Sequence, residues 1–146
     1  MLLETTITPR APYSLALSAR HGGDPTRRLR DGVLTLALEA GGGPGLARVR
    51  QRPDGSLAVA LEAAEPAEAL DRLRFVLAAD DDHGPFLHRF ADDRLIGRAV
   101  RSLRGLRPLR TATVTHSLLK AVCGQLIQAR AARQLEARLI RTLGTP

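Results

Sequence analysis

Two apolar rhythms divide the chain. From Val33 to Glu39, and again from Ser56 to Leu61, apolar residues fill every second position: Leu34, Leu36 and Leu38, then Leu57, Val59 and Leu61. A strand points alternate residues to opposite faces, so each run predicts a strand with one buried face. After Pro66 the spacing lengthens to three and four, through Leu70, Leu73, Val76 and Leu77. That is the period of a helix lying with one side on a core. Pro66 opens this helix where a missing N–H costs nothing.

The punctuation fits this division. Asp31-Gly32 supplies the two positive-φ residues that a tight type I′ hairpin needs, between Val33–Glu39 and a strand preferred at 26–30, where Asp24-Pro25 could instead cap a short helix. Pro53-Asp54-Gly55 closes a second hairpin between Leu46–Arg52 and Ser56–Leu61. Tyr13–Ala19 alternates and predicts another half-buried strand. Residues 1–12, broken by Pro9 and Pro12, predict an irregular lead-in. His21-Gly22-Gly23 predicts a turn, and Gly41-Gly42-Gly43-Pro44-Gly45 a flexible connection. Residues 13–79 therefore predict an antiparallel sheet covered by one helix.

Asp80-Asp81-Asp82 marks a boundary between a unit at 1–80 and a helical unit at 81–146. Carboxylates there suit a helix N-cap better than a metal site, because no further ligands accompany them. Helices are expected at about 84–91, 93–103 (capped by Asp92 or Asp93), from Thr113 to Gly124, and at about 129–143. Val114, Leu118, Ala121 and Val122 would form the buried stripe of the third, with Leu119 widening it. Ala132, Leu135, Leu139 and Leu143 would form that of the fourth. Gly144 and Pro146 then stop the chain's last helix in the expected order. The fold class is α+β.

Charge is distributed unevenly. Residues 1–93 hold 11 basic and 14 acidic groups; residues 94–146 hold 11 basic groups and one acid, Glu136. Arg98, Arg101, Arg104, Arg107 and Arg110 recur every third residue, as either a solvated stripe or a phosphate-facing one. A net charge of +10 in 53 residues repels itself, and a polyanion would relieve it. Nucleic acid fits better than an anionic membrane surface. Charge runs are also commonly solvated faces, so composition alone leaves that alternative open.

Few chemistries remain. One cysteine, Cys123, excludes an internal disulfide and fits a reducing compartment; its apolar neighbours suit a small buried residue. His21, His83, His88 and His116 are scattered without metal-ligand spacing, and the glycine run lacks the Lys and hydroxyl of a phosphate loop. No catalytic constellation, metal site or cofactor is expected. No apolar run is long enough to span a membrane, and no signal peptide is visible, so a monomeric cytoplasmic protein is expected.

One further pattern carries more. Leu103-Arg104-Gly105-Leu106-Arg107-Pro108, Leu118-Leu119-Lys120-Ala121-Val122-Cys123-Gly124-Gln125-Leu126-Ile127, Ala131-Ala132-Arg133 and Leu143-Gly144-x-Pro146 together resemble the helix–hairpin–helix DNA glycosylases. Within that superfamily the resemblance is to bacterial 3-methyladenine DNA glycosylase II. Asp24-Pro25-Thr26 adds a weaker likeness, and about residues 13–146 are covered.

The resemblance implies an accessory sheet domain followed by the first helices of an all-α glycosylase domain. It also implies double-stranded DNA as partner and removal of alkylated bases such as 3-methyladenine. Leu126, at the corner between two helices, would fill the gap left by the flipped base, with Gln125 beside it. An apolar side chain of that bulk suits a base step, although packing between the helices would equally suit a leucine. Arg107, Arg110, Arg130 and Arg133 would meet phosphate.

The family also carries, further along, a hairpin of the form Leu-Pro-Gly-x-Gly followed by Thr-Ala, and then a catalytic aspartate. Neither occurs in these 146 residues; Pro44-Gly45-Leu46-Ala47 lacks the second glycine and lies in the wrong unit. The chain is therefore expected to be an N-terminal portion or a degenerate relative, inactive by itself. A non-enzymatic DNA-binding or damage-sensing module is the alternative.

Overall fold

The computed structural model describes residues 1–20, 24–125 and 127–144. Five strands form one antiparallel sheet: β1 (Leu2–Ile7), β2 (Arg27–Arg30), β3 (Val33–Ala40), β4 (Gly43–Gln51) and β5 (Leu57–Glu62), in the spatial order β1-β5-β4-β3-β2. Three hairpins connect β2 to β5 in sequence order. The Asp31-Gly32 turn has φ of 50° and 74°, as the tight hairpin requires. Gly41 and Gly42 have φ of 61° and 73°, so the glycine run is a two-residue turn with Gly43 to Gly45 already in β4. The expected flexible connection is thus a rigid hairpin.

The lead-in is also corrected. Leu2–Ile7 pairs with β5 from Leu2 opposite Glu62 to Ile7 opposite Leu57. Its partner lies more than 50 residues away, which hides the pairing from any local pattern. The expected strand at Tyr13–Ala19 is instead a short helix, α1 (Leu15–Ala19). Ser14 caps it by accepting from the Leu17 N–H at 3.2 Å, and Leu15 and Ala19, four apart, are buried. Five residues cannot separate a two-residue from a four-residue period, so the cap decides. His21, Gly22 and Gly23, expected as a turn, lie outside the described residues.

Helix α2 (Pro66–Leu77) packs on β1, β3 and β5. Leu34, Ala47, Leu57, Leu61, Ala69, Leu73 and Leu77 are fully buried between them. Aliphatic residues fill this core, since the whole chain has three Phe, one Tyr and no Trp. The αL residue Ala78 (φ 51°) ends α2, its N–H bonding back to the carbonyls of the last turn.

Four further helices follow: α3 (Gly84–Arg89), α4 (Gly97–Ser102), α5 (Val114–Gln125) and α6 (Ala129–Leu143). Asp82 Oδ1 accepts from the Gly84 N–H, and Asp93 Oδ1 from those of Leu95 and Ile96. The acidic boundary is thus used largely for caps and ion pairs. Thr113 Oγ1 accepts from the His116 N–H at 3.1 Å and opens α5.

The stripe expected to bury α5 does not. Val114, Leu118 and Val122 are 76%, 61% and 69% exposed. On α6, Ala132 is buried and Leu139 half-buried, while Leu135 and Leu143 are exposed and Glu136 is buried instead. Helices α5 and α6 pack extensively only on each other, so an apolar stripe at the right period has no surface to cover it. Leu34→Ala should cost about 2–5 kcal/mol of unfolding free energy, measured by denaturant titration. Leu118→Ala should change it by no more than about 0.5 kcal/mol; a loss as large as that for Leu34 would show the α5 stripe to be core.

Candidate nucleic-acid interface

The stretch from residue 103 to 112 leaves α4 without regular structure and ties the helices to the sheet unit. Gly105 accepts the Ser14 N–H at 2.7 Å. A Cβ on Gly105 would lie 2.8 Å from Ser14 atoms, so only glycine permits this approach. Two residues on, Arg107 is 1% exposed. Its backbone N–H donates to Ser18 Oγ, and its Nη2 donates to the carbonyls of Arg10 (3.1 Å) and Pro12 (3.0 Å). Nε and Nη1 are buried without a partner among the described residues. Tyr13 lies nearby, and burial pushes its phenol well above its usual pKa against the pull of the Arg107 charge.

The phosphate-facing role expected of Arg107 is corrected by this burial, since a guanidinium enclosed by backbone carbonyls presents nothing to a duplex. Arg110 is half-buried and similarly engaged. It donates to the Phe75 carbonyl (3.0 Å) and to Asp81 Oδ2 (2.7 Å), with its guanidinium 4.7 Å from the Phe75 ring centroid. An α2 C-terminal carbonyl and a carboxylate neutralise it locally. Spacing of three along the chain gave no hint of this, because Arg107 and Arg110 lie beyond the helix on which that spacing would align them.

The corner between α5 and α6 is different. Gln125, Arg130 and Arg133 are exposed. Neither arginine forms an ion pair with a carboxylate of the described residues. Arg138 and Arg141 are exposed further along α6. Ile127 is 44% exposed, while Cys123, one turn before the corner, is buried. Gln128, with extended backbone, leads into α6. Leu126 lies outside the described residues.

Toward the other end of α5 lies a buried polar cluster that the sequence pattern did not reveal. Glu136 of α6 and Asp24, before β2, are 3% and 5% exposed. His116 of α5 stands between them, its Nε2 2.8 Å from Glu136 Oε1 and 3.9 Å from Asp24 Oδ1. Arg27 Nη2 lies 2.9 Å, and Lys120 Nζ 3.7 Å, from Asp24 Oδ2. Asp24 Oδ1 also accepts from the Thr26 N–H at 3.0 Å. One signal was available in retrospect. The single acid of the basic half is the one that is buried.

Asp24, His116 and Glu136 bring three potential ligand atoms within 4.8 Å of one another. Arg27 and Lys120 already offset the two carboxylates, and His116 occupies the space between them, so a buried divalent ion would add uncompensated positive charge. His116 Nε2 instead lies at hydrogen-bond distance from Glu136 Oε1, which gives both groups a partner without an ion. Burial pushes the Asp24 pKa up, but hydrogen bonds from Thr26 and the charges of Arg27 and His116 outweigh it and hold the carboxyl below its ordinary 3.8.

Helix α5 and the first turns of α6 thus carry an exposed, arginine-bearing corner on a polar anchor. No protein-family model and no curated protein sequence matches the chain. Solved structures do. The chain is similar to a 3-methyladenine DNA glycosylase from Archaeoglobus fulgidus, with a TM-score of 0.73 and 18% identity, covering 94% of this chain and 50% of that one. It is also similar to MBOgg1 in complex with a low-affinity DNA ligand, with a TM-score of 0.74 and 15% identity, covering 98% of this chain and 47% of the other. The chain therefore shares the fold of these two proteins over about half of their length. Among the described residues no helix is long and apolar enough to cross a membrane.

Asp24 should make stability acid-dependent. Its folded pKa is lowered, so its contribution is complete above 3.8 and is lost as pH falls through the folded value. Asp24→Asn should flatten the acid limb of a stability-against-pH curve measured by urea unfolding; a limb as steep as the parent's would place the acid sensitivity elsewhere.

Proposed function

We propose that this chain is part of a DNA base-excision repair glycosylase that acts on alkylated bases such as 3-methyladenine. It supplies the accessory sheet unit and the DNA-probing corner, with residues 81–146 as the first helices of the catalytic domain. The observation that carries this reading is the fold likeness to two DNA glycosylases over nearly the whole chain. Arg130 and Arg133, exposed beside Gln125 and without an ion pair among the described residues, support it.

The corner would work as follows. Arg130 and Arg133 draw the helix end to the phosphates of a duplex, a sequence-independent attraction. Leu126 enters the base stack where a nucleotide has turned out, and replaces lost stacking with apolar contact. Gln125 offers an amide that donates and accepts at the edge of the gap. Unstacking a base costs a few kcal/mol, least where the base is damaged, which biases the probe toward lesions. Arg107 and Arg110 are engaged within the protein and take no part. The chain contributes no catalytic aspartate to this step, so cleavage of the glycosidic bond falls outside what it does alone. Alkyl-base preference rests on the resemblance of the Val122–Ile127 stretch rather than on a pocket.

Duplex binding by the 146-residue chain should be salt-dependent and stronger for DNA with an abasic gap than for intact DNA. Leu126→Ala should reduce the gap preference about tenfold, a loss of about 1.4 kcal/mol. Arg130→Ala and Arg133→Ala should each lower the slope of log K against log salt by about one. Methylated duplex should release no base. Equal affinity for gapped and intact DNA would remove the probing role, and measurable base release would remove the claim that the chain is catalytically incomplete.

A further inference from the structure

We propose that Asp24, His116 and Glu136 form a latch that sets the attitude of the α5–α6 pair on the sheet unit, and that His116 and Glu136 are thereby positioning residues for the corner. The positioning role rests on the DNA-probing reading of the corner; the latch itself does not.

The packing singles out this cluster. Among the described residues, the one extensive packing of α5 and α6 on another helix or strand is on each other. The outward apolar residues of α5 are exposed, and the buried apolar residues of the pair among those described are two small ones, Cys123 and Ala132. The cluster, in contrast, draws groups from three separate segments into one buried spot. His116 and Lys120 come from successive turns of the same face of α5, four residues apart. Glu136 comes from α6. Asp24 belongs to the segment before β2, and Arg27 of β2 and Thr26 complete its shell. His116 and Lys120 reach Asp24 from α5 at 3.9 and 3.7 Å, and Glu136 braces His116 from α6 at 2.8 Å, so two points along α5 restrain tilt as well as distance.

Geometry makes that restraint matter at the corner. His116 lies in the first turn of α5 and Gln125 at its end, nine residues later. Nine residues of helix span about 14 Å, so a tilt of about 10° at the latch moves the corner by roughly 2 Å. A displacement of that size is enough to misplace an inserted side chain. Burial sharpens the effect. Charged groups out of water have few acceptable geometries, and removing one partner leaves the other unpaired. The short, directional contacts of the cluster, Arg27 and Thr26 on Asp24 and His116 on Glu136, fix the groups that His116 and Lys120 bring to ion-pair distance of Asp24, whereas an apolar contact tolerates sliding.

The test uses hydrogen exchange and DNA binding on the full chain. In His116→Ala and Glu136→Ala, amides of α5 and α6 should exchange roughly tenfold faster or more, the loss expected for one hydrogen bond to a charged group. Those of β3, β4, β5 and α2 should keep parent rates. Glu136→Gln retains an acceptor for His116 and should restore most of the protection. Unchanged exchange in α6, or acceleration spread evenly over the sheet, overturns the latch, and neither outcome depends on DNA. With protein held well below its melting temperature, Glu136→Ala should also lose most of the preference for gapped over intact duplex while the salt slope stays unchanged. Full retention of that preference overturns the positioning role. A parent chain that shows no preference at all removes the probing corner and its positioning together, while the exchange result still decides the latch.

Discussion

A pair of helices held by charge rather than by oil sets the character of this molecule. Among the described residues of α5 and α6 the buried apolar ones are the small Cys123 and Ala132, and charged contacts with the sheet unit run from His116 and Lys120 to Asp24, with Glu136 bracing His116. Such an interface contributes little net stability, because desolvation cancels much of the attraction. What it contributes is geometry. The carboxylates, the imidazole and the cations can all be satisfied in very few arrangements, so a helix pair with an uncommitted outer face still occupies one position.

The sheet unit is the rigid base for that arrangement. Local hairpins, two of them closed by paired positive-φ residues, build four of its strands, and α2 covers one face with a fully buried aliphatic layer. The stretch from residue 103 to 112 then runs back across this unit. It uses Arg107 and Arg110 to bind carbonyls and Asp81. Two charges that look available in the sequence are consumed as internal fastenings. Of the positive charge that stays exposed in the second half, Arg130, Arg133, Arg138 and Arg141 lie on α6 from the corner onward, and Arg94, Arg98, Arg101 and Arg104 lie on and around α4.

Legibility followed the range of each interaction. The hairpins at Asp31-Gly32 and Pro53-Asp54-Gly55 could be read because turn and flanking strands lie within a few residues. Helix α2 could be read because Pro66 and a clear period agree. β1 could not, since its partner β5 lies some 55 residues on, and α1 was too short for its period to speak. The corner region was legible as two helices and a break. Its apolar stripe was legible as a pattern, but whether anything covers it was not. The Asp24–His116–Glu136 cluster was invisible because its members are separated by 92 and 20 residues.

The sequence by itself determined the α+β class, the change of rhythm at Pro66, the concentration of positive charge after residue 93 and the helix–corner–helix that carries the glycosylase resemblance. Each depends on residue identity and local spacing, which survive in one dimension. Only the tertiary structure decided which arginines face outward, that Glu136 is buried, and that α5 exposes the side its pattern would have hidden. Burial and charge pairing are properties of neighbours in space, and here the decisive neighbours come from opposite ends of the chain.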